Sequence, residues 1–192
     1  MKLKTFFFQS IIALLIIGAS YSSADELALG NEKSPITIIE YGSLTCGYCI
    51  GFHRNIFPEI KRGYIDTGKA RFTYRHYPTG KEAQLGAVAL ECAGDRYYPL
   101  LDALFATVDE WTEADDTYLA LEKQALKLGI DKSAFKSCFD NDATMQRVVD
   151  EQLHARKTYG ARGTPTFLIN GEVYQGKRSA EDFMRILDGA AQ

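Results

Sequence analysis

The sequence predicts an α/β protein in which helices flank a mixed β-sheet and a helical region is inserted into it. The predicted elements run β-α-β, then helices alone, then β-β-α. A parallel βαβ unit and an antiparallel hairpin can share one sheet. The composition agrees with a globular fold, because 192 residues that are 46% hydrophobic and 12% aromatic can bury a core and are too apolar for a disordered chain.

Charge and cysteine content exclude other classes of protein. The formal net charge is −3 and no basic run is present, so the chain lacks the electrostatic pattern of a nucleic-acid-binding protein. Four cysteines are too few to frame a disulfide-rich mini-protein. No phosphate loop or dinucleotide fingerprint occurs, and we expect no bound cofactor.

Residues 1–24 have the pattern of a cleaved secretory signal. Lys2 and Lys4 precede an apolar run of about fourteen residues (6–19), and a small-residue cleavage site ends at Ala24. The run is shorter than the ~20 residues of a membrane helix, although an uncleaved anchor is the alternative. Cleavage would leave 168 residues at net charge −5 and would place the cysteines in an oxidising compartment.

The next segment predicts a strand, a helix and a second strand. Ile36–Tyr41 is a β-branched apolar run, which indicates a buried strand. A helix is expected to begin near Thr45 or Cys46, with Thr45 as its N-cap. Pro58 should kink this helix, and Ala70–Tyr77 alternates as a second strand.

Residues 79–158 predict an insertion made of helices. Apolar side chains recur there at helical spacing, and glycines end two of the periodic segments. The expected helices are Lys81–Gly94, Tyr97–Val108, Tyr118–Leu128, Asp131–Phe139 and one from about Met145 to Gly160.

The C-terminal part returns to β-structure. Thr166–Ile169 and Glu172–Gln175 predict a hairpin, since the intervening Asn170-Gly171 is a strong two-residue turn signal. Ser179 begins a capping box for a final helix. The chain therefore divides into the signal (1–24), a first sheet part (25–78), the helical insertion (79–158) and a second sheet part (159–192).

The main chemical signal is Cys46-Gly47-Tyr48-Cys49, which follows a strand and opens a helix. A helix N-terminus stabilises a thiolate, so Cys46 is expected to exchange with substrate and Cys49, one turn deeper, to act second. His53 lies two turns from Cys46, too far to supply a nearby charge. Redox exchange is therefore predicted; half of a zinc site and a purely structural bridge are the alternatives.

The other two cysteines are isolated in the predicted insertion. Cys92 and Cys138 occupy core-facing helical positions, where they could form a structural disulfide or remain separate buried thiols. A bridge would stabilise the fold by about 4 kcal/mol in the chain-entropy model. His53, His76 and His154 have no metal-ligand spacing, so we expect them to be structural or solvent-facing and expect no metal site.

Two motifs together resemble those of DsbA-like thiol–disulfide oxidoreductases of the thioredoxin superfamily. The cysteine motif is one, and Gly163–Gly171, which begins about 115 residues later, resembles the loop before that family's terminal hairpin. The resemblance runs from about Pro35 to the C-terminus and implies a thioredoxin fold. It also implies that Thr164–Pro165 is a cis peptide facing the cysteines. Similar second cysteine pairs occur in some relatives.

The resemblance implies a periplasmic enzyme that introduces disulfide bonds into reduced secreted proteins. Glu40 matches a buried acid of the family, and we hypothesise that it helps to deprotonate Cys49 when the mixed disulfide is resolved. The family also implies reoxidation by a quinone-linked, DsbB-like membrane oxidase. The short segment before Pro35 leaves no room for the dimerisation domain of isomerase relatives, so a monomer is expected.

Two departures from the family's strongest oxidants leave alternatives open. The dipeptide Gly47-Tyr48 differs from the Pro-His of those oxidants, and Thr164 also occurs in isomerase relatives. An isomerase or reductase kept reduced by another protein is one alternative. A non-catalytic secreted module with a structural C-x-x-C bridge is the other.

Overall fold

A computed structural model describes residues 27–191; the signal predicted for residues 1–24 lies outside them. Its sheet has the strand order β2-β1-β3-β4. β1 pairs in parallel with β2 and antiparallel with β3, which pairs antiparallel with β4. The predicted mixed sheet is thereby confirmed. The strands are β1 (Ile36–Gly42), β2 (Ala70–His76), β3 (Thr166–Ile169) and β4 (Glu172–Gln175).

Helices cover the sheet and fill the region between β2 and β3, as the predicted insertion requires. A π-helical turn, Lys61–Ile65, follows α2, and a 3₁₀ turn, Gly94–Arg96, precedes α4. The helices are α1 (Gly47–Asn55), α2 (Phe57–Ile60), α3 (Lys81–Glu91), α4 (Tyr97–Ala106), α5 (Val108–Thr112), α6 (Thr117–Lys127), α7 (Lys132–Phe139), α8 (Asp142–Tyr159) and α9 (Ala180–Ala190).

The start of α1 differs from the prediction. The N-cap is Cys46, with extended backbone at φ −76° and ψ 119°, so the expectation that Thr45 caps the helix is wrong. The physical reason is a turn before the helix: the Cys46 N–H donates to Ser43 O at 3.1 Å, and Cys46 O accepts the first helical bond, from Ile50 N at 2.9 Å. This turn sets the first cysteine, rather than a hydroxyl, at the helix N-terminus.

An aromatic core holds α1 against the sheet. Phe52 of α1 lies 4.8 Å from Phe167 of β3 between ring centroids, and 5.3 Å from Phe183 of α9. On the other side, Gly86 allows α3 to approach the loop before α1: a Cβ added there would lie 2.7 Å from Leu44 Cδ1. The helix that carries the cysteine motif is therefore fixed by a well-packed core. Within residues 27–191, no helix is long and apolar enough to cross a bilayer.

Candidate active site

The two cysteines of the motif lie at the N-terminus of α1 in unlike surroundings. Cys46 is partly exposed, whereas Cys49 is fully buried, and both are free thiols. They are one helical turn apart, so their side chains share one face of the helix. The arrangement presents one sulfur to solvent and keeps the other in the core.

Hydrogen bonds stabilise the thiolate of Cys46. The bond from the Cys49 thiol makes the largest contribution, and the Thr164 side chain and the backbone N–H groups of Cys49 and Tyr48 add to it. Together they outweigh burial and lower the pKa of Cys46 to about 5. Cys46 is therefore ionised at neutral pH, in the state that attacks disulfides and leaves them readily.

Cys49 has the opposite tendency. Burial raises the pKa of its thiol well above the usual range, and both its hydrogen bond to Cys46 and the negative charge of Glu40 raise it further. Cys49 is thus held as a neutral thiol. A reaction that makes it attack or leave must move a proton at this sulfur.

The loop before β3, which is distant in sequence from the cysteine motif, contacts Cys46. The Thr164–Pro165 peptide is cis, as the resemblance implies. Cys46 Sγ lies 3.3 Å from Thr164 O, across 118 residues of sequence, and donates to this oxygen when the thiol is protonated. Thr166 Oγ1 donates to Gly163 O at 2.8 Å, which ties the loop to the first residue of the strand.

Glu40 is buried beneath the cysteines and pairs with His53. Its Oε2 lies 2.8 Å from His53 Nε2. An ionised carboxylate only accepts hydrogen bonds, so we assign the proton of this bond to Nε2. Among the described residues, neither Glu40 Oε1 nor His53 Nδ1 has a hydrogen-bond partner. One carboxylate oxygen is therefore left without a donor inside the core.

The expectation that His53 is structural or solvent-facing missed this contact with Glu40. His53 is 7% exposed and stacks on Phe105 with ring centroids 4.1 Å apart. A sequence signal existed: His53 follows Cys49 by four residues, so both belong to one face of α1.

A pocket opens next to the cysteine motif. It has a volume of about 290 Å³ and runs along the whole of α1, between this helix, the proline loop and the segment after β4. Phe52, Ile56 and Phe167 contribute its apolar wall. Lys177 and Arg178 border it on the other side. Tyr48, which is 58% exposed, stands at its rim.

The second pair of cysteines forms a bridge away from this pocket. Cys92 and Cys138 are joined by a disulfide that closes a 46-residue separation and connects α3 with α7. Next to it, Glu91 Oε1 lies 3.2 Å from His76 Nε2, and Glu91 Oε2 accepts from Arg147 Nε at 2.9 Å. This carboxylate therefore has a partner on both oxygens.

The chain is similar to proteins whose names refer to disulfide exchange or disulfide bond formation. The sequence model of the thioredoxin family matches residues 22–189. A putative protein-disulfide oxidoreductase of Rickettsia conorii is 29% identical over 170 residues, which are 88% of this chain and 61% of that protein. Disulfide bond formation protein D of Bacillus subtilis is 26% identical over 160 residues, or 76% of this chain and 68% of that protein.

Two solved structures also match this chain in fold. The crystal structure of Wolbachia pipientis alpha-DsbA1 matches with a TM-score of 0.80 at 30% identity, covering 88% of this chain and 92% of that one. The Bacillus subtilis BdbD structure shares the fold, with a TM-score of 0.74 at 22% identity over 86% of this chain and 92% of that one. The chain spans about three fifths of the length of the Rickettsia relative.

Proposed function

Because the chain belongs to the thioredoxin family and has the DsbA-like arrangement of sheet and inserted helices, we propose that it is a protein-disulfide oxidoreductase. It would introduce disulfide bonds into reduced secreted proteins by exchange with the Cys46–Cys49 pair. One observation carries the proposal: two cysteines one helical turn apart have their pKa values displaced in opposite directions. Redox exchange depends on this difference between the two pKa values, whereas a structural bridge does not need it.

Exchange begins with the pair oxidised. A substrate thiolate attacks Cys46 Sγ, the bond to Cys49 breaks, and Cys49 leaves and takes up a proton. The second substrate thiolate then attacks the substrate sulfur of the mixed disulfide, and Cys46 leaves as a thiolate. Two electrons pass from the substrate dithiol to the enzyme. The pKa of about 5 makes Cys46 a good leaving group for the last step.

Glu40 is proposed to exchange the proton at Cys49. Its charge acts on that thiol, and its Oε1 has no donor within the described part of the chain, so it can hold a proton. His53 occupies Oε2 and thereby orients the free oxygen. In the reverse direction, when a mixed disulfide is resolved by Cys49, the same carboxylate would accept the thiol proton.

The ionisation of Cys46 favours the oxidase direction. A lowered thiolate pKa stabilises the dithiol form, which makes the disulfide a stronger oxidant. The effect depends on pH: the folded pKa is about 5 and the unfolded one about 8.5. Stabilisation of the reduced protein is therefore full above about pH 8.5 and is lost as the pH falls through 5.

The remaining expectations complete the proposal. The predicted signal over 1–24 supports a periplasmic location and the use of reduced secreted proteins as substrates. Reoxidation would come from a quinone-linked, DsbB-like membrane oxidase, and the enzyme would act as a monomer without a bound cofactor. The division into 25–78, 79–158 and 159–192 is supported by the run of helices α3–α8 between β2 and β3.

Two variants and one potential test the function. Cys46→Ser should abolish oxidation of dithiol peptides and reduction of insulin, while Cys49→Ala should accumulate mixed disulfides visible on non-reducing gels. Turnover that persists in Cys46→Ser would contradict the assignment. The potential of the pair against glutathione separates the alternatives: about −120 mV fits an oxidase, about −270 mV a reductant, and below about −300 mV a structural bridge.

A further inference from the structure

Two cations border the pocket beside Cys46 without a carboxylate partner. Lys177 Nζ lies 5.9 Å from the ring centroid of Tyr48, and the Arg178 guanidinium lies 5.1 Å from that of Tyr174. In the part of the chain that the structure describes, neither cation takes part in an ion pair. Arg185 on the following helix, by contrast, is paired with Asp182. The edge of the pocket is therefore positive although the chain as a whole is acidic.

A second feature of Arg178 points to a ligand-binding role. Its Nε is buried and has no hydrogen-bond partner among residues 27–191. A buried donor on a charged group is costly to leave unpaired, and the cost is recovered when an acceptor binds. The nearby carboxylate of Asp182 is already engaged, because it accepts from Ser179 Oγ and pairs with Arg185. Within residues 27–191 no free acceptor reaches Arg178 Nε, so we infer that a bound ligand supplies one.

The pocket has the shape and lining for an acidic side chain of a polypeptide. Its volume of about 290 Å³ corresponds to about ten water molecules, which is enough for a side chain and its adjoining backbone. The methylene groups of Asp or Glu would contact the apolar wall formed by Ile56 and Phe167. The carboxylate would then meet the guanidinium of Arg178, whose fork of N–H donors matches carboxylate geometry.

We propose that Arg178, assisted by Lys177, makes this pocket a subsite for an aspartate or glutamate that neighbours the substrate cysteine. The inference rests on the proposed oxidoreductase function and names the substrate class of the same site: extended polypeptides with an acidic residue close to a reduced cysteine. Gly47 and Tyr48, which directly follow Cys46, line the pocket, so an acid bound there would place a cysteine a few residues away at the reactive sulfur.

The test uses dithiol peptides that differ at one position. Sets are prepared with Glu, Gln or Lys at each of three positions on either side of the first cysteine, and kcat/KM for oxidation is measured. At the best position we expect the Glu peptide to exceed the Gln peptide about fivefold, the size of a half-exposed ion pair. The ratio should shrink as ionic strength rises, because salt screens the pair.

Variants connect the preference to the two cations. Arg178→Gln should bring the Glu-to-Gln ratio close to one, and Lys177→Gln should lower it by a smaller factor. Lys123→Gln on α6 is the matched control: it removes an exposed lysine that does not line the pocket and should leave the ratio unchanged. Arg178→Glu should reverse the order and favour the Lys peptide, a result that a misfolded protein cannot give.

Binding measurements separate failure of this inference from failure of the proposed function. The same peptides, with serine in place of cysteine, are titrated against the wild-type protein. Fivefold tighter binding of the Glu peptide without oxidation of any dithiol peptide would support the acidic subsite and contradict the oxidase. Oxidation of all peptides at equal rates, together with equal affinities, would overturn the subsite and leave the oxidase in place.

Discussion

The two cysteine pairs occupy opposite ends of helices. Cys46 is the N-cap of α1, where unpaired N–H groups favour a negative sulfur. Cys92 is the C-cap of α3 and Cys138 lies in the last turn of α7, where unpaired carbonyls disfavour one. The same residue type is thus activated in one place and protected as a disulfide in the other. Position along a helix, more than sequence context, separates the reactive pair from the structural one.

Each pair also has a carboxylate–histidine contact nearby, and the two contacts differ in the hydrogen bonding of one carboxylate oxygen. Glu91 has a partner on both oxygens, and although burial alone would raise its pKa, hydrogen bonds from His76 and Arg147 hold that pKa below the usual value. Glu40 has a partner on Oε2 only. A fully paired carboxylate holds structure together, whereas one with a free oxygen can receive a proton.

The largest expected effect is a loss of stability when the structural disulfide is removed. Cys92→Ala with Cys138→Ala releases a 46-residue loop in the unfolded chain and should lower the free energy of unfolding by about 4 kcal/mol. Urea unfolding, monitored with the Cys46–Cys49 pair held reduced, measures the change. Because the bridge is outside the exchange site, the folded variant should oxidise dithiol peptides at the wild-type rate.

The matched control removes the reactive sulfur instead. Cys46→Ser should leave the stability near that of the reduced wild type measured at pH 5, where the thiolate contributes little. If loss of the Cys92–Cys138 bridge abolished exchange while stability stayed high, the division into a reactive and a structural pair would be wrong.

Local patterns predicted most of the elements around these cysteines. The β-branched run from Ile36 predicted β1, and Asn170-Gly171 predicted the hairpin, whose turn residues have φ of +47° and +85°. The cap at Thr45 was mispredicted because a hydroxyl is only one way to begin a helix. The competing backbone bond from Cys46 N to Ser43 O depends on how the loop packs, which composition does not encode.

The site was less accessible to sequence reasoning than the fold. The C-x-x-C motif and the proline loop have short, recognisable patterns. The Glu40–His53 contact joins a strand to a helix, and it could be anticipated only by noting that Cys49 and His53 share a helical face. Arg178 follows the hairpin and belongs to no recognisable motif. The burial of its unpaired Nε depends on the tertiary structure around the pocket, which the local sequence does not encode.

A smaller effect sharpens the comparison between the two carboxylates. Glu40→Gln keeps the shape of the side chain but removes the proton acceptor. The reaction measured is the attack of Cys49 on a mixed disulfide between Cys46 and glutathione. Its rate should fall about 100-fold, which is the low end of the contribution of a positioned proton-transfer group. Rapid-mixing kinetics between pH 5 and 9 measure the rate and its pH profile. Equal rates in Glu40→Gln and the wild type would contradict the role of Glu40.

Glu91→Gln is the control for that measurement. It changes the other histidine-paired carboxylate, which has no free oxygen, and should leave the resolution rate and its pH profile unchanged. A similar slowing in both variants would mean that loss of either histidine-paired carboxylate disturbs the fold, and the assignment of proton exchange to Glu40 would be lost.

The smallest effect concerns a single hydrogen bond at the reactive sulfur. Thr164→Val removes the side-chain hydroxyl that stabilises the Cys46 thiolate, so the pKa of Cys46 should rise, by about half a unit for one partly exposed hydrogen bond to a charge. A weaker thiolate destabilises the dithiol form, and the potential should fall by about 15 mV. Thiolate absorbance against pH gives the first quantity, and equilibration with glutathione gives the second.

Thr164→Ser separates the hydroxyl from the packing. It keeps the donor and loses only a methyl group, so its Cys46 pKa and potential should return to the wild-type values. The contact between Cys46 Sγ and Thr164 O is made to the backbone and survives in both variants. A rise in pKa of equal size in the Ser and Val variants would therefore assign the effect to the packing of the loop, whereas a rise in Val alone assigns it to the hydroxyl.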